Sequence, residues 1–286
     1  MTHPVLGIDH IYLLVQDLDA SAILYEQLGF TLSPRGLHSP QKGTANHTIV
    51  FKDDYVELLG IVSATELNRP QRDGLARDGE GMQAIANRTL SADAAKPALA
   101  VRGIRTGEVS AFSRPLPLPD GTEGTASFRT LGLEANDVPI GHFFLCEHHT
   151  PEMVWRPELQ QHPNSAIALG SIIAVVDQPR ALANAYSRLY AEGSVSETEE
   201  GFRVQTGRNS ATLLFVDPAA IGSLFPKQDV ALARNRFAAM RILVDDLERT
   251  RQLLTGRGVA FTPTPSGGIA VGARQASGAI VEFLAR

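Results

Sequence analysis

The chain has 286 residues, of which 43% are hydrophobic and 20% are charged, and Cys146 is its single cysteine. This length and composition predict a globular protein large enough for two domains, and one cysteine excludes a disulfide within the chain. The net charge of -5, without a run of Lys or Arg, argues against nucleic acid or an anionic membrane surface as the main partner. The first residues do not resemble a secretory signal, and no stretch of about 18 apolar residues occurs, so we expect a cytoplasmic protein.

The first 61 residues contain the elements of one βαβββ unit. Residues 5 to 15 are rich in Ile, Leu and Val and predict a strand. Asp17 is a typical N-cap for a helix that should end at Gly29. Apolar segments at residues 30 to 34, 48 to 52 and 55 to 61 predict three further strands, which completes the order strand, helix, strand, strand, strand.

The same residue pattern returns near the C-terminus. Residues 244 to 248, VDDLE, match residues 15 to 19, VQDLD, and residues 281 to 284, VEFL, match residues 56 to 59, VELL. Two weaker copies lie between them. We therefore predict four copies of one supersecondary unit, at residues 5 to 61, 80 to 148, 166 to 216 and 236 to 286. Polar, proline-containing segments at 62 to 80 and 149 to 165 predict linkers, and we divide the chain into domains 1 to 150 and 151 to 286.

Two polar residues, His10 and Glu57, stand inside predicted strands of the first unit. Side chains alternate along a strand, so His10 should share its face with Ile8 and Tyr12. A buried carboxylate needs a partner, because burying an unpaired charge is costly. If both strands line one cavity, an imidazole and a carboxylate converge there, which suits Zn, Fe, Mn, Co or Ni.

The first unit resembles the vicinal oxygen chelate superfamily, which contains glyoxalases, bleomycin-resistance proteins and extradiol dioxygenases. The resemblance rests on the strand with a central histidine, the following V-x-D-L, a helix closing with L-G-F and a strand reading Y-V-E-L. It is specific in the first unit, good in the fourth, and topological in the second and third. It implies an α+β fold in which four βαβββ modules pair into two incomplete β-barrel, glyoxalase-like domains. It also implies a divalent metal held inside a barrel by the first and last strands of each unit.

Transferred residue by residue, the resemblance places metal ligands mainly in the first unit. The counterparts of His10 are Ala84 or Gln83, Gly170 or Ser171, and Ala239, and the counterparts of Glu57 are Glu147 or His148, Leu213, and Glu282. We expect His10, Glu57 and His148 to be the ligands, because consecutive units usually pack together. Glu282 becomes the third ligand if the first and fourth units pair instead. His162, in a linker, is a weaker candidate.

The loop RGLHSPQKGTANH, residues 35 to 47, places neutral hydrogen-bonding side chains just before the third strand. The candidate catalytic residues are Glu57, His38 and His47, and the candidate substrate-binding residues are Asn46, Tyr12 and Arg156. The structural alternatives are a loop hydrogen-bonding role for Asn46, and for Arg156 the packing of the linker over the barrel mouth, which is the preferred interpretation. Cys146 lies in an apolar strand and is expected to be a buried, unreactive thiol.

The resemblance implies a metal-dependent enzyme that binds neighbouring oxygens of a small molecule. The chemistry would be glyoxalase-like isomerisation or lysis, extradiol-type oxidative ring cleavage, or epoxide or thiol addition. The metal would be Fe, Zn, Mn, Ni or Co, and a ligand set of two histidines and one carboxylate would favour ring cleavage. The alternative is a metal-free protein of the same fold that binds or sequesters an antibiotic-type small molecule. A homodimer is compatible with either function.

Overall fold

The computed structural model describes residues 3–118, 121–226, 228 and 235–286. The strands form two eight-stranded sheets, each built from two βαβββ units. The first sheet uses residues 8 to 148 and the second uses residues 166 to 285, so the predicted α+β fold with four paired modules is confirmed. The predicted domain cut falls in the connection between the sheets, which contains two short 3₁₀ helices. No helix in the described ranges is long and apolar enough to span a membrane.

The first sheet has the strand order β2-β3-β4-β1-β5-β8-β7-β6. Its strands are β1 Ile8–Val15, β2 Gly36–Leu37, β3 Thr44–Val50, β4 Tyr55–Ile61, β5 Gly81–Arg88, β6 Thr106–Pro117, β7 Glu123–Leu133 and β8 His142–His148, and its helices are α1 Leu18–Gln27, α2 Arg69–Asp78 and α3 Ala92–Ala100. Strands β1 and β5 are antiparallel at the centre, flanked by the parallel pairs β1–β4 and β5–β8. The edge strands β2 and β6 contact each other, so the sheet curls into an incomplete barrel.

The second sheet repeats this order with β10-β11-β12-β9-β13-β16-β15-β14. Its strands are β9 Ala166–Val175, β10 Val195–Thr198, β11 Gly201–Val204, β12 Thr212–Val216, β13 Arg236–Val244, β14 Thr262–Pro263, β15 Ile269–Val271 and β16 Ile280–Ala285, and its helices are α4 Pro179–Ser187, α5 Ala220–Leu224 and α6 Leu247–Gly256. Ile221 of α5 and the adjacent Phe225 pack with Ile173 and Leu214 in a compact apolar cluster. This apolar filling distinguishes the second sheet from the first.

The matching helices α1 and α6 begin with the same cap. The Asp17 carboxylate accepts a hydrogen bond from Ala20 N at 2.9 Å, and Asp246 accepts one from Arg249 N at 2.9 Å. Each aspartate satisfies a backbone N–H that has no partner within the first turn of its helix. Gly29 follows α1 with a φ of +88°, a conformation that glycine adopts without steric cost. The predicted helix start and end in the first unit are therefore correct.

Two predicted details of the first unit are wrong. Residues 62 to 80 were expected to be a linker but contain α2, whose Pro70 lies in the first turn, where a missing N–H costs nothing. The second strand is the short β2 in the following loop rather than residues 30 to 34. Ser33 N donates a hydrogen bond to Thr48 O of β3. Pro34 has no N–H, so it cannot extend this pairing into a strand.

The two sheets share one continuous hydrophobic core. Phe30, which follows α1, stacks on Phe283 of β16 with ring centroids 5.7 Å apart. Tyr190, after α4, donates a hydrogen bond of 2.9 Å to the Asn87 side chain on β5. The central strands that carry the first barrel are therefore held from behind by the second sheet.

Candidate active site

The interior of the curled first sheet is a cavity of about 360 Å³. Alternate side chains of the strands point into it, because a strand places residues i, i+2 and i+4 on one face. The strand residues that line it are His10, Tyr12, Thr44, Asn46, Tyr55, Glu57, Leu59, Ser110, Phe112, Arg114, Phe128, Thr130, Gly132, His142, Phe144 and Cys146. The rim is closed by residues of the loop before β3 and by the start of α2. A concave site with a few convergent polar groups is the usual form of a small-molecule site.

His10 and Glu57 meet inside this cavity. Both side chains are buried, and His10 Nε2 lies 3.8 Å from Glu57 Oε2. The imidazole is held between aromatic neighbours, with the Tyr55 ring stacked on it at a centroid distance of 4.2 Å. The Asn46 side-chain amide donates a hydrogen bond of 2.6 Å to Glu57 Oε1. One carboxylate oxygen is thus fixed by Asn46, while the other faces the imidazole.

Asp9 was missed by sequence reasoning and connects the two histidines of the predicted ligand set. Its Oδ1 lies 2.7 Å from His10 Nδ1 and 3.0 Å from His148 Nε2. Because a carboxylate only accepts hydrogen bonds, both of these ring nitrogens carry the proton. Burial by itself would raise the pKa of Asp9, but the hydrogen bonds from His10 and His148 outweigh burial and hold the pKa well below its ordinary value. Asp9 is therefore an ionised, fully buried hydrogen-bond acceptor.

These residues fit a divalent metal at the cavity face of His10. In a neutral His10 ring with Nδ1 protonated, Nε2 keeps its lone pair, and it faces Glu57 Oε2. A histidine that donates its second ring N–H to a carboxylate is the usual arrangement around a metal. The 3.8 Å separation is within reach of two metal bonds of about 2.1 Å.

A second grouping of donor atoms lies deeper. Atoms of Asp9, His10, Cys146 and His148 all fall within 4.8 Å of one another. Burial raises the pKa of the Cys146 thiol well above its ordinary value, so this group stays protonated at neutral pH. A protonated thiol is a poor metal ligand. The structure thus brings His148 into the cluster through Asp9, whereas Glu57 approaches His10 from the cavity.

Three further predicted residues line the cavity. Tyr12 lies one alternate position after His10 on β1, and Asn46 lies opposite Leu59 on the ladder between β3 and β4. His38 lies in the loop after β2, with Nδ1 2.7 Å from Thr44 Oγ1. Burial lowers the pKa of His38 to about 4, so its ring is neutral at pH 7.

Three other predicted residues do not line the cavity, and these assignments are corrected. His47 alternates with Asn46 and turns outward, where its Nδ1 lies 2.8 Å from Ser33 O. Arg156 is buried beneath the β6–β7 hairpin, where it donates to Pro117 O at 2.9 Å. Both ring nitrogens of His162 are occupied by backbone groups, since Nδ1 accepts from Thr31 N at 3.0 Å and Nε2 lies 3.1 Å from Val50 O.

Glu282 is also ruled out as a ligand for the first site, because the first and second units form one sheet and the fourth unit belongs to the other. In its own sheet Glu282 occupies the position of Glu57. Its Oε2 lies 2.5 Å from Arg241 Nε, and Arg241 also binds Glu200. Burial would lower the pKa of Arg241, but hydrogen bonds to these two carboxylates raise it instead. An internal guanidinium thus pairs with the carboxylate that corresponds to Glu57.

The second unit supplies apolar groups where the first supplies ligands. Alignment of Gly81 with Gly7 at the start of the two central strands places Ala84 at the position of His10. The parallel ladder then sets Phe144 of β8, rather than Glu147 or His148, at the position of Glu57. Glu147 points to the opposite face and accepts a hydrogen bond from Ala92 N at the start of α3. The cavity is therefore polar on one wall and aromatic on the other.

Sequence reasoning also missed Lys42, Phe112 and Arg114 in the cavity lining. Lys42 stands in the loop that was singled out for its histidines. Phe112 and Arg114 lie on β6, a strand that was not predicted because the later strands of the second unit were placed only from residue 124 onward. The alternation of Ser110, Phe112 and Arg114 was the available signal.

A curled sheet that pairs two βαβββ units around a histidine on the first strand and a glutamate on the last defines the vicinal oxygen chelate fold. Residues 8–190 match the family model described as "Glyoxalase-like domain", and the chain belongs to this family. No curated protein sequence matches the chain.

Two solved structures share the fold across nearly the whole chain, and a third is similar to about half of it. A hypothetical protein from Staphylococcus aureus is 13% identical with a TM-score of 0.67, over 98% of this chain and 99% of that one. A variant of 4-hydroxymandelate synthase from Streptomyces coelicolor is 14% identical with a TM-score of 0.61, over 99% of this chain and 93% of that one. Methylmalonyl-CoA epimerase from Mycobacterium tuberculosis is 20% identical over 51% of this chain and 91% of its own, with a TM-score of 0.40. At these identities the likeness concerns the fold alone.

Proposed function

We propose that the chain is a divalent-metal-dependent enzyme that acts on a small molecule with two neighbouring oxygens. His10 Nε2 and Glu57 Oε2 would hold the metal, with the remaining positions open to substrate. The observation that carries this proposal is the hydrogen bond between His10 Nδ1 and Asp9, which directs Nε2 toward Glu57. A metal held there would act as a Lewis acid on the substrate oxygens.

The neighbouring side chains support a proton-transfer reaction next to a carbonyl group. The neutral His38 ring is available as proton acceptor or donor at the rim of the cavity. Asn46 holds Glu57 in place through Oε1. Because His148 Nε2 is engaged by Asp9, a ligand set of two histidines and one carboxylate is not assembled around Glu57. Isomerase or lyase chemistry is therefore favoured over extradiol-type ring cleavage.

Metal analysis of protein purified without chelator tests the proposal. After incubation with Fe, Zn, Mn, Ni or Co and gel filtration, the unmodified protein should retain about one metal ion per chain. The variants His10→Ala and Glu57→Gln should lose it, whereas His47→Ala, a histidine on the outer face of the neighbouring strand, should keep it. If the unmodified protein retains none of the five metals, the proposal is wrong.

The second candidate is a metal-free protein that binds or sequesters a small molecule. The observation that favours it is the apolar second unit, where Ala84 and Phe144 replace the ligands expected by pseudosymmetry. This candidate predicts tight ligand binding that chelator treatment and His10→Ala both leave unchanged. The metal-dependent enzyme predicts turnover that both of these treatments abolish.

A further inference from the structure

Two cationic side chains, Lys42 and Arg114, face the cavity without a close ion pair among the described residues, and Glu57 acts on Lys42 only from beyond ion-pair distance. Arg114 is only 8% exposed, and Lys42 is half-buried. Across the described ranges, neither forms an ion pair or a side-chain hydrogen bond with a carboxylate. A buried guanidinium without a counter-ion is costly, so this arrangement points to an anion supplied from outside the chain.

Arg114 is given its place by Gly36, which pairs with Asn46 across β2 and β3. A Cβ atom on Gly36 would lie 2.5 Å from Asn46 Oδ1 and would also collide with the Arg114 guanidinium. Because Gly36 has an ordinary φ, the missing side chain makes space rather than relieving backbone strain. The absence of a Cβ therefore lets the guanidinium lie beside the Asn46 amide, which holds Glu57.

Lys42 is held at the rim of the cavity by its backbone. The buried Asn68 side chain, at the start of α2, donates a hydrogen bond of 2.9 Å to Lys42 O and one of 2.8 Å to Ser63 O. Lys42 Nζ lies 3.1 Å from the centroid of the Phe112 ring. Contact between a cation and an aromatic ring face is attractive, yet much weaker than an ion pair. The ammonium group is thus held in position but not neutralised.

The wall beside these cations is aromatic. The Phe112 and Phe128 rings stack with centroids 5.0 Å apart and planes inclined by 23°. Phe144 continues the apolar surface toward His10, with its ring centroid 5.6 Å from the imidazole. Such a wall accepts a flat apolar group.

We infer that the substrate is a small aromatic carboxylate, with its carboxylate bound by Arg114 and Lys42 and its ring packed against the part of the aromatic wall that Phe128 and Phe144 form. A carboxylate matches the guanidinium because two oxygens can accept two parallel N–H groups. This inference rests on the proposed function only in taking the same cavity as the substrate site. The neighbouring oxygens of the substrate would face His10 and Glu57.

The substrate class is tested with two matched probes, benzoate and its neutral analogue benzamide, by calorimetry on the full-length protein. Benzoate should bind about tenfold or more tightly than benzamide, and Arg114→Gln should remove this preference. Gly36→Ala should weaken benzoate binding without changing the charge of the cavity. Equal binding of the two probes, or no benzoate binding at millimolar concentration, would overturn the inference.

Two further variants separate this result from folding defects and from the metal. Arg114→Lys retains the positive charge and should retain part of the preference for benzoate. If the preference is lost in Arg114→Gln but kept in Arg114→Lys, the loss cannot be attributed to misfolding. His10→Ala should lose the metal but keep the preference for benzoate. If the preference disappears in His10→Ala, the carboxylate binds the metal, and the assignment to Arg114 and Lys42 is wrong.

Discussion

The carboxyl group of Asp54 should make the protein less stable as the pH rises from about 4 to 7. Asp54 lies just before β4, is 3% exposed, and accepts a hydrogen bond of 3.1 Å from Leu169 N of the second sheet. Burial raises its pKa from 3.8 to about 7, and the nearby Asp53 and Asp9 add to this, although Leu169 and Arg88 act in the opposite direction.

The direction in which stability changes with pH follows from proton binding in the folded and unfolded states. Between pH 3.8 and about 7 the folded protein keeps the Asp54 proton whereas the unfolded chain has lost it. Stability is therefore highest below this window and falls as the pH rises through it. A shift of about 3 pH units corresponds to about 4 kcal/mol in the free energy of unfolding, because each unit is worth about 1.4 kcal/mol.

The substitution Asp54→Asn removes the ionisation and keeps an oxygen that can accept from Leu169 N. Urea unfolding should show little difference from the unmodified protein near pH 4 and a gain approaching about 4 kcal/mol at pH 8. Asp53→Asn, at the exposed neighbouring position, is the matched control and should change the profile much less. A difference between Asp54→Asn and the unmodified protein that does not vary with pH would refute the reasoning.

Three other predictions concern the site and the core. Benzoate affinity should fall as the pH rises through about 8, because burial lowers the pKa of Lys42 to about 8 although Glu57 opposes this shift. In calorimetric titrations, Lys42→Arg should make the affinity depend less on pH. Asp9→Asn should weaken metal binding by roughly 10- to 100-fold in competition with a chromophoric chelator, because His10 loses its orienting acceptor. Phe30→Ala should cost about 3 to 5 kcal/mol in urea unfolding, whereas Ile23→Ala, at an exposed position of α1, should cost less than about 0.5 kcal/mol.

The modular architecture could be predicted because the units repeat local sequence signals, each of which stabilises a particular helix end or strand. The Asp caps and following glycines of α1 and α6, and the alternation on β4, all act locally, so a short window of sequence contains them. Tyr55, Glu57 and Leu59 alternate along β4, and all three line the cavity.

Asp9 could not be predicted, because strict alternation places it on the face opposite His10. The ladder between β1 and β5 contains a register shift between Ile8 and His10. Ile8 therefore packs in the core shared by the two sheets, and the Asp9 side chain reaches both histidines. An irregularity of this kind depends on the partner strand, which the local sequence does not reveal.

Arg114 was missed for a different reason. Its partners in the cavity come from the first unit, whereas its own strand belongs to the second, so nothing within β6 indicates what it faces. Lys42 was also missed, because its position depends on Asn68, which lies in a segment whose sequence predicts a linker. Contacts between units are set by barrel closure, which sequence periodicity does not describe.

The seam between the sheets has a consequence for how the cavity can adapt to a ligand. The β4 and β5 strands are fastened from behind, through Asp54 to Leu169 and through Asn87 to Tyr190. The rear wall of the cavity is therefore braced against the second sheet. The front of the cavity consists of the Lys42 loop and the start of α2, and the Asn68 side chain is one of the contacts that join them, so substitution of Asn68 should alter how the cavity accommodates ligands of different size.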